Sequence, residues 1–157
     1  MNSYLRFEVS FLTRVNLKEK KIKGFLIKER PLLLRLAVVS QSSKRHFPHV
    51  SSVWYLFRDD CFWITTSEDR LKVKAIKQND RVALIIDSDL PPYKGIIVEG
   101  IATLTKENVE TITMEIVKRY VPRKHVKKQF EDLMKYPRIL IRVKPLKTMD
   151  IMSYRKL

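Results

Sequence analysis

The chain has 157 residues, 45% of them hydrophobic, and carries 32 Lys and Arg against 17 Asp and Glu, a formal net charge of +15. That length supports one respectable core with little left for a second, so a single domain over residues 1–157 is expected. The lone cysteine, Cys61, excludes an intramolecular disulfide, no Cys/His spacing suits a metal, and no apolar run is long enough for a signal peptide or a membrane span. A cytoplasmic protein is expected, with a surface that attracts polyanions.

In chain order, "YLRFEVSFL" alternates Leu5, Phe7, Val9 and Phe11 with Arg6, Glu8 and Ser10, the period of a half-buried strand or arm. Asn16 followed by Glu19 has the form of a helix start, with Ile22, Phe25 and Leu26 facing inward and Pro31 as the stop. "LLLRLAVVS" (32–40) is a short apolar strand followed by a polar loop. "HVSSVWYLF" (49–57) alternates again, and Arg58-Asp59-Asp60 turns it back into "CFWITT", a hairpin.

"RVALIID" (81–87) is apolar on both sides, as a strand covered on both faces would be. After a loop containing Pro91 and Pro92, a long strand runs from Gly95 to Leu104, where Gly100 marks a bulge or a close backbone approach. Thr105 is expected to cap a helix whose stripe is Val109, Ile112, Thr113, Ile116, Val117 and Tyr120. Pro122 stops it. A short helix carries Val126, Phe130, Leu133 and Met134 on one side, and "RILIRVKPLKTMDIM" returns to alternation. Successive strands with tight connections favour an antiparallel sheet, mainly β, a small barrel decorated by helices.

The stretch "TTSEDRLKVKAI" (65–76) joins a strand to a helix. With a cap at Thr66 or Ser67, Leu71, Ala75 and Ile76 would pack inward, and the free N–H groups at the helix start would face Arg70, Lys72 and Lys74. Such a junction suits a phosphate. Glu68 and Asp69 oppose this, because they favour a helix start by themselves and repel a dianion. A capped surface helix with solvated lysines is the plainer reading of the same residues. The glycine-rich loop of nucleotide sites is absent.

The order "RLAVVS", "PHVSSVWYLF", "CFWITT", "RLKVKAIKQNDRVAL", "PPYKGIIVEGIATL", "ILIRVKPLKTMDIM" resembles the flavin-binding split-barrel superfamily of pyridoxamine-phosphate-oxidase-like proteins, over about residues 32–151. The resemblance implies a six-stranded antiparallel split barrel as the core, and a homodimer with two cofactor sites at its interface. It further implies an oxidoreductase using FMN or a deazaflavin for two-electron transfer to a small substrate. It places the flavin phosphate at Thr65, Thr66, Arg70 and Lys72, and the ring beside the strand Val50, Ser51, Ser52 and Val53. Glu68 and Asp69 would then point to solvent. The segment "QSSKRHFPH" is longer and more basic than the Asp-Gly turn usual in the family, and residues 1–15 lie outside the resemblance, as an arm that adds a strand or crosses to the partner.

Among single residues, Tyr93 follows Pro-Pro in a loop and is a candidate for the pocket. His46 and His49 could reach a ligand, although ordinary polar contacts explain them as well. Trp54, Tyr55 and Trp63 could stack on a ring, while core or interface packing is the commoner role. Cys61 has no histidine nearby in sequence to activate it. Two other readings remain: nucleic-acid binding through the cation groups 18–23, 44–45 and 123–128, and a split barrel that binds haem or no cofactor.

Overall fold

A computed structural model describes residues 12–14, 16–27, 32–39, 47–88 and 94–151. Among them eight strands form one antiparallel sheet: β1 (Leu12–Arg14), β2 (Leu34–Val38), β3 (His49–Val53), β4 (Leu56–Arg58), β5 (Cys61–Ser67), β6 (Arg81–Asp87), β7 (Gly95–Thr105) and β8 (Arg138–Ile151). Helices α1 (Lys20–Leu26), α2 (Leu71–Gln78), α3 (Val109–Tyr120) and α4 (Val126–Met134) surround it. The order across the sheet is β3-β2-β6-β7-β8-β5-β4, with β1 beside the far end of β8.

The two ends of that order, β3 and β4, are separated by only Trp54 and Tyr55. Two residues cannot cross the width of a flat seven-strand sheet, so the sheet must curl until its ends meet. No ladder joins β3 to β4 among the described residues, and the barrel stays split along this seam. The inward face is filled by Leu34, Leu36 and Val38 of β2, Phe62 and Ile64 of β5, Leu84 and Ile86 of β6, Ile96 and Val98 of β7, and Ile141 and Val143 of β8. Each such side chain contributes about 1.5–3 kcal/mol by leaving water. A second cluster, Ile112 and Ile116 of α3 on Leu140 of β8, packs α3 on the outer face, beside Trp54 and Trp63.

The seam explains where the expected strand 49–57 breaks. Tyr55 is fully buried, its hydroxyl donates to the Leu26 carbonyl at 2.9 Å, and its backbone N–H donates to the Tyr120 hydroxyl at 3.3 Å instead of to a ladder partner. The Tyr120 hydroxyl in turn donates to Leu32 O at 2.9 Å. One expected strand therefore becomes β3 and β4, which with β1 raises the expected six strands to eight. The hairpin itself forms as the sequence predicts. Asp59 and Asp60, at φ 53° and 55°, make the two-residue left-handed turn between Arg58 and Cys61 that matches strand twist.

Gly100 holds both properties expected of it. The β7–β8 register slips between Glu99 and Gly100, and a Cβ there would stand 2.7 Å from Lys144 O and 2.8 Å from Val143 Cγ1. Pro145, which lacks an N–H, sits opposite at this bulge.

Two helix starts differ from expectation. Thr105 does not cap α3; its Oγ1 accepts from Glu107 N at 3.1 Å, and Asn108, left-handed at φ 54°, is the N-cap. β5 runs on through Ser67, so neither Thr66 nor Ser67 caps α2; Arg70 is its N-cap, and no side chain caps it. The helix therefore starts later than expected. Val73, Ala75 and Ile76 are buried, and Leu71 is 54% exposed instead of inward. No helix among the described residues is long and apolar enough to cross a membrane.

Candidate functional site

The late start of α2 decides the shape of the site. β5 extends to Ser67, still paired with Arg138 of β8, and the turn 68–70 leads directly into α2, so that Arg70 and Lys72 share a cleft with the last residues of β5. A cleft of about 530 Å³ lies there. Its walls are Thr65, Thr66 and Ser67 of β5, Arg70 and Lys72, Ser52 and Val53 of β3 with Trp54, and Leu33, Gln129, Leu133 and Arg138. Of the residues singled out in the sequence, Thr65, Thr66, Arg70, Lys72, Ser52 and Val53 meet in this cleft. Val50, 59% exposed, and Ser51 belong to the same strand but not to the cleft lining; Tyr93 and His46 lie outside the described residues.

Arg138 is the cation that the sequence reading missed. In the β5–β8 register Ser67 faces Arg138 and Thr65 faces Leu140, so Ser67 and Thr65, two apart, share a face with the Arg138 side chain lying along it. Its guanidinium donates to Thr65 Oγ1 at 3.1 and 3.3 Å and to Ser67 Oγ at 3.3 Å. Thr65 Oγ1 also lies 2.8 Å from Thr113 Oγ1 on α3. The arginine is thus fixed to the strand that carries the cleft wall. Antiparallel pairing of "CFWITTS" with "RILIRV", Ile64 against Ile141, would have revealed it.

Three cations therefore line one cleft, Lys72 and Arg138 half-buried and Arg70 exposed. Burial pulls the Lys72 ammonium below the usual lysine range, and Arg70 and then Arg138 pull it further the same way. Burial also lowers Arg138, with Arg70 adding to it. None of the three forms an ion pair among the described residues. Glu68, in the same turn, is engaged by Lys106 at 2.7 Å. Like charges gathered in this way raise the energy of the free protein, and an anion in the cleft relieves it. Perturbed cations gathered in a cleft make it a candidate site.

The aromatic side wall is held from behind. Trp54 stacks on Tyr120, ring centroids 5.2 Å apart and planes 7° apart, while Tyr120 is held by its hydrogen bonds to Tyr55 and Leu32. Trp63 lies outside the cleft; its indole N–H donates to Arg58 O at 3.2 Å and Arg142 rests 5.5 Å over its ring. Cys61 is buried, His49 is half-buried on β3 and His125 is exposed.

A curled antiparallel sheet, split at one seam and carrying helices at its rim, defines the split-barrel class. The family model for pyridoxamine 5'-phosphate oxidase matches residues 19–149, and the chain belongs to that family. Among solved structures it is similar to a conserved hypothetical protein from Mycobacterium tuberculosis, at 17% identity and TM-score 0.67, covering 87% of this chain and 86% of that one. It is also similar to an F420 reductase, at 22% identity and TM-score 0.57, covering 78% and 92%. A protein of Listeria innocua classed as a pyridoxamine 5'-phosphate oxidase gives 20% identity and TM-score 0.62, covering 83% and 95%. At these identities the likeness establishes the fold. No curated protein matches the chain.

Proposed function

We propose that the cleft holds the phosphate end of a flavin, FMN or a deazaflavin relative, and that the protein is a flavin-dependent oxidoreductase acting on a small substrate. The observation that carries this reading is the set of three cations, Arg70, Lys72 and Arg138, that line one cleft and form no ion pair among the described residues. The fit is chemical as well as electrostatic. Arginine and lysine give charge-assisted hydrogen bonds to phosphate oxygens. The cleft volume, about 530 Å³, lies within the range of about 300–1,000 Å³ usual for small-molecule sites.

Each residue then has a part. Arg70 and Lys72 bind the phosphate, Arg138 adds a third positive charge from a fixed position, and Thr65 and Thr66 form the floor on which it rests. β3 lies beside the ring: Ser52 and Val53 line the cleft, and Val50 and Ser51 belong to the same strand. When bound, the flavin supplies two-electron transfer, while the chain binds, orients and excludes water. This division of labour suits a site with no nucleophile paired to a base. Proteins of this family are commonly dimeric, and a homodimer with the cleft at its interface is part of the proposal. The test is an absorbance spectrum of the purified protein, with mass spectrometry of whatever denaturation releases, followed by titration with FMN and a deazaflavin. Uptake of either, weakened by at least about a hundredfold in R70A/K72A through the loss of two contacts of roughly 1.5–3 kcal/mol each, supports the reading. A colourless protein that takes up neither overturns it.

A further inference from the structure

The phosphate cleft does not end at Arg70. A second hollow of about 670 Å³, lined by Ser67, Glu68, Asp69, Arg70, Tyr136 and Pro137, adjoins it and shares Ser67 and Arg70 with it. Its walls are tied together, since Glu68 N donates to Pro137 O at 3.1 Å and so fixes the turn after β5 against the segment before β8. The two spaces form one continuous surface with Arg70 at the junction.

Their chemistry differs. The first cleft gathers three cations; the second has none besides the shared Arg70 and presents an aromatic ring and two carboxylates. Glu68 is neutralised by Lys106, whereas Asp69 is exposed and in no ion pair among the described residues. Tyr136, 65% exposed, puts a ring at the edge of this hollow, and an exposed ring can stack on a flat ligand. A ligand that spans both spaces is therefore anionic in the middle and continues into a flat, uncharged group carrying hydrogen-bond donors.

We propose that this hollow is a subsite for the nucleoside half of a dinucleotide flavin, so that the chain prefers FAD to FMN and disfavours cofactors whose phosphate carries a polyanionic tail. The inference rests on the flavin reading of the first cleft. Tyr136 stacks on the adenine, Asp69 accepts hydrogen bonds from the ribose hydroxyls as acidic residues do in other dinucleotide sites, and Arg70 bridges the diphosphate. A tail of carboxylates would instead meet the uncompensated charge of Asp69. The acidic pair beside the basic stretch, which opposes a phosphate when the sequence is read alone, acquires a role: it selects what is attached to the phosphate.

The experiment is a titration of apoprotein with FAD and with FMN, followed by calorimetry and by flavin fluorescence, in the wild type, Y136A and D69K. FAD is expected to bind about tenfold more tightly than FMN, within what stacking of a single base supplies. In Y136A the FAD affinity falls to the FMN value while the FMN affinity, the internal measure of an intact fold, holds. D69K weakens FAD and strengthens an oligoglutamyl deazaflavin. Equal affinities for FAD and FMN in the wild type, or an unchanged ratio in Y136A, overturn the subsite and leave the flavin reading standing. Binding of neither flavin overturns both.

Discussion

Replacing Arg138 by alanine separates binding from folding in a way that tests the site directly. In the free protein the guanidinium is half-buried, repelled by Arg70 and held by Thr65 and Ser67. Truncation removes that burial and repulsion together with three hydrogen bonds to hydroxyls, and Thr65 retains Thr113 as a partner at 2.8 Å. The gain and loss nearly offset one another, so the midpoint of urea unfolding should move little. A charge-assisted contact to phosphate contributes about 1.5–3 kcal/mol; taking about 2 kcal/mol, FMN affinity should fall roughly thirtyfold. Riboflavin, which has the ring without the phosphate, is the control. Its affinity should be the same in wild type and R138A, measured by quenching of flavin fluorescence. An equal loss for riboflavin and FMN would refute the assignment, because it would mean that the mutation damages the ring site or the fold; an unchanged FMN affinity would show that the guanidinium never meets the phosphate.

Affinity for FMN should weaken as pH rises through the lowered pKa of Lys72, since a neutral amine no longer holds the phosphate; K72R should flatten that profile over the same range, because a guanidinium stays protonated, and a profile identical in both proteins would exclude Lys72 from the contact. Gly100→Ala should destabilise by about 1–3 kcal/mol in urea at constant m, since its Cβ meets Lys144 O at 2.7 Å and the backbone of β8 must shift. Tyr55→Phe removes one buried hydrogen bond to Leu26 O but leaves that carbonyl the guanidinium of Arg119, so a cost near 1 kcal/mol is expected, and a loss above about 3 kcal/mol would show that the hydroxyl holds more of the seam than this bond.

The elements were legible in the sequence because their burial is periodic. α3 buries Ile112, Thr113, Ile116 and Val117 as its stripe requires; β6 was legible instead as an apolar run, of which Val82, Leu84 and Ile86 are buried while Ala83 and Ile85 are only half-buried; and the strand-to-helix order around Arg70 follows the family resemblance. What periodicity does not carry is long-range register. Arg138 lies 71 positions from Ser67 and reaches it only because β5 and β8 pair in one particular alignment. Nor does alternation reveal a seam: "HVSSVWYLF" keeps its pattern through Trp54 and Tyr55, yet the chain leaves one end of the sheet and enters the other there. The cap of α2 was misplaced for a local reason, since Thr66 and Ser67 are good caps in isolation but are held in the ladder by Ile139 and Arg138.

The same three cations that make the cleft also strain it, and this sets stability against binding. Lys72 binds fewer protons in the folded chain than in the unfolded one between its lowered pKa and the ordinary lysine value. Through that window the unfolded state carries the extra proton, so stability of the free protein rises with pH; below it, the charged ammonium opposes folding. Lys72→Met removes the charge while keeping an unbranched apolar stem of similar length, so at neutral pH the free variant should melt at or above the wild-type temperature. Added FMN should raise its melting temperature by less than it raises the wild type's, since stabilisation by a ligand follows its affinity. Relative to the wild type, the free variant loses no stability while its gain from FMN shrinks, a combination that a merely structural lysine would not produce. A free variant that melts lower, with an undiminished FMN shift, would mean that Lys72 supports the fold and not the ligand, and that the charge gathered at the start of α2 has another purpose.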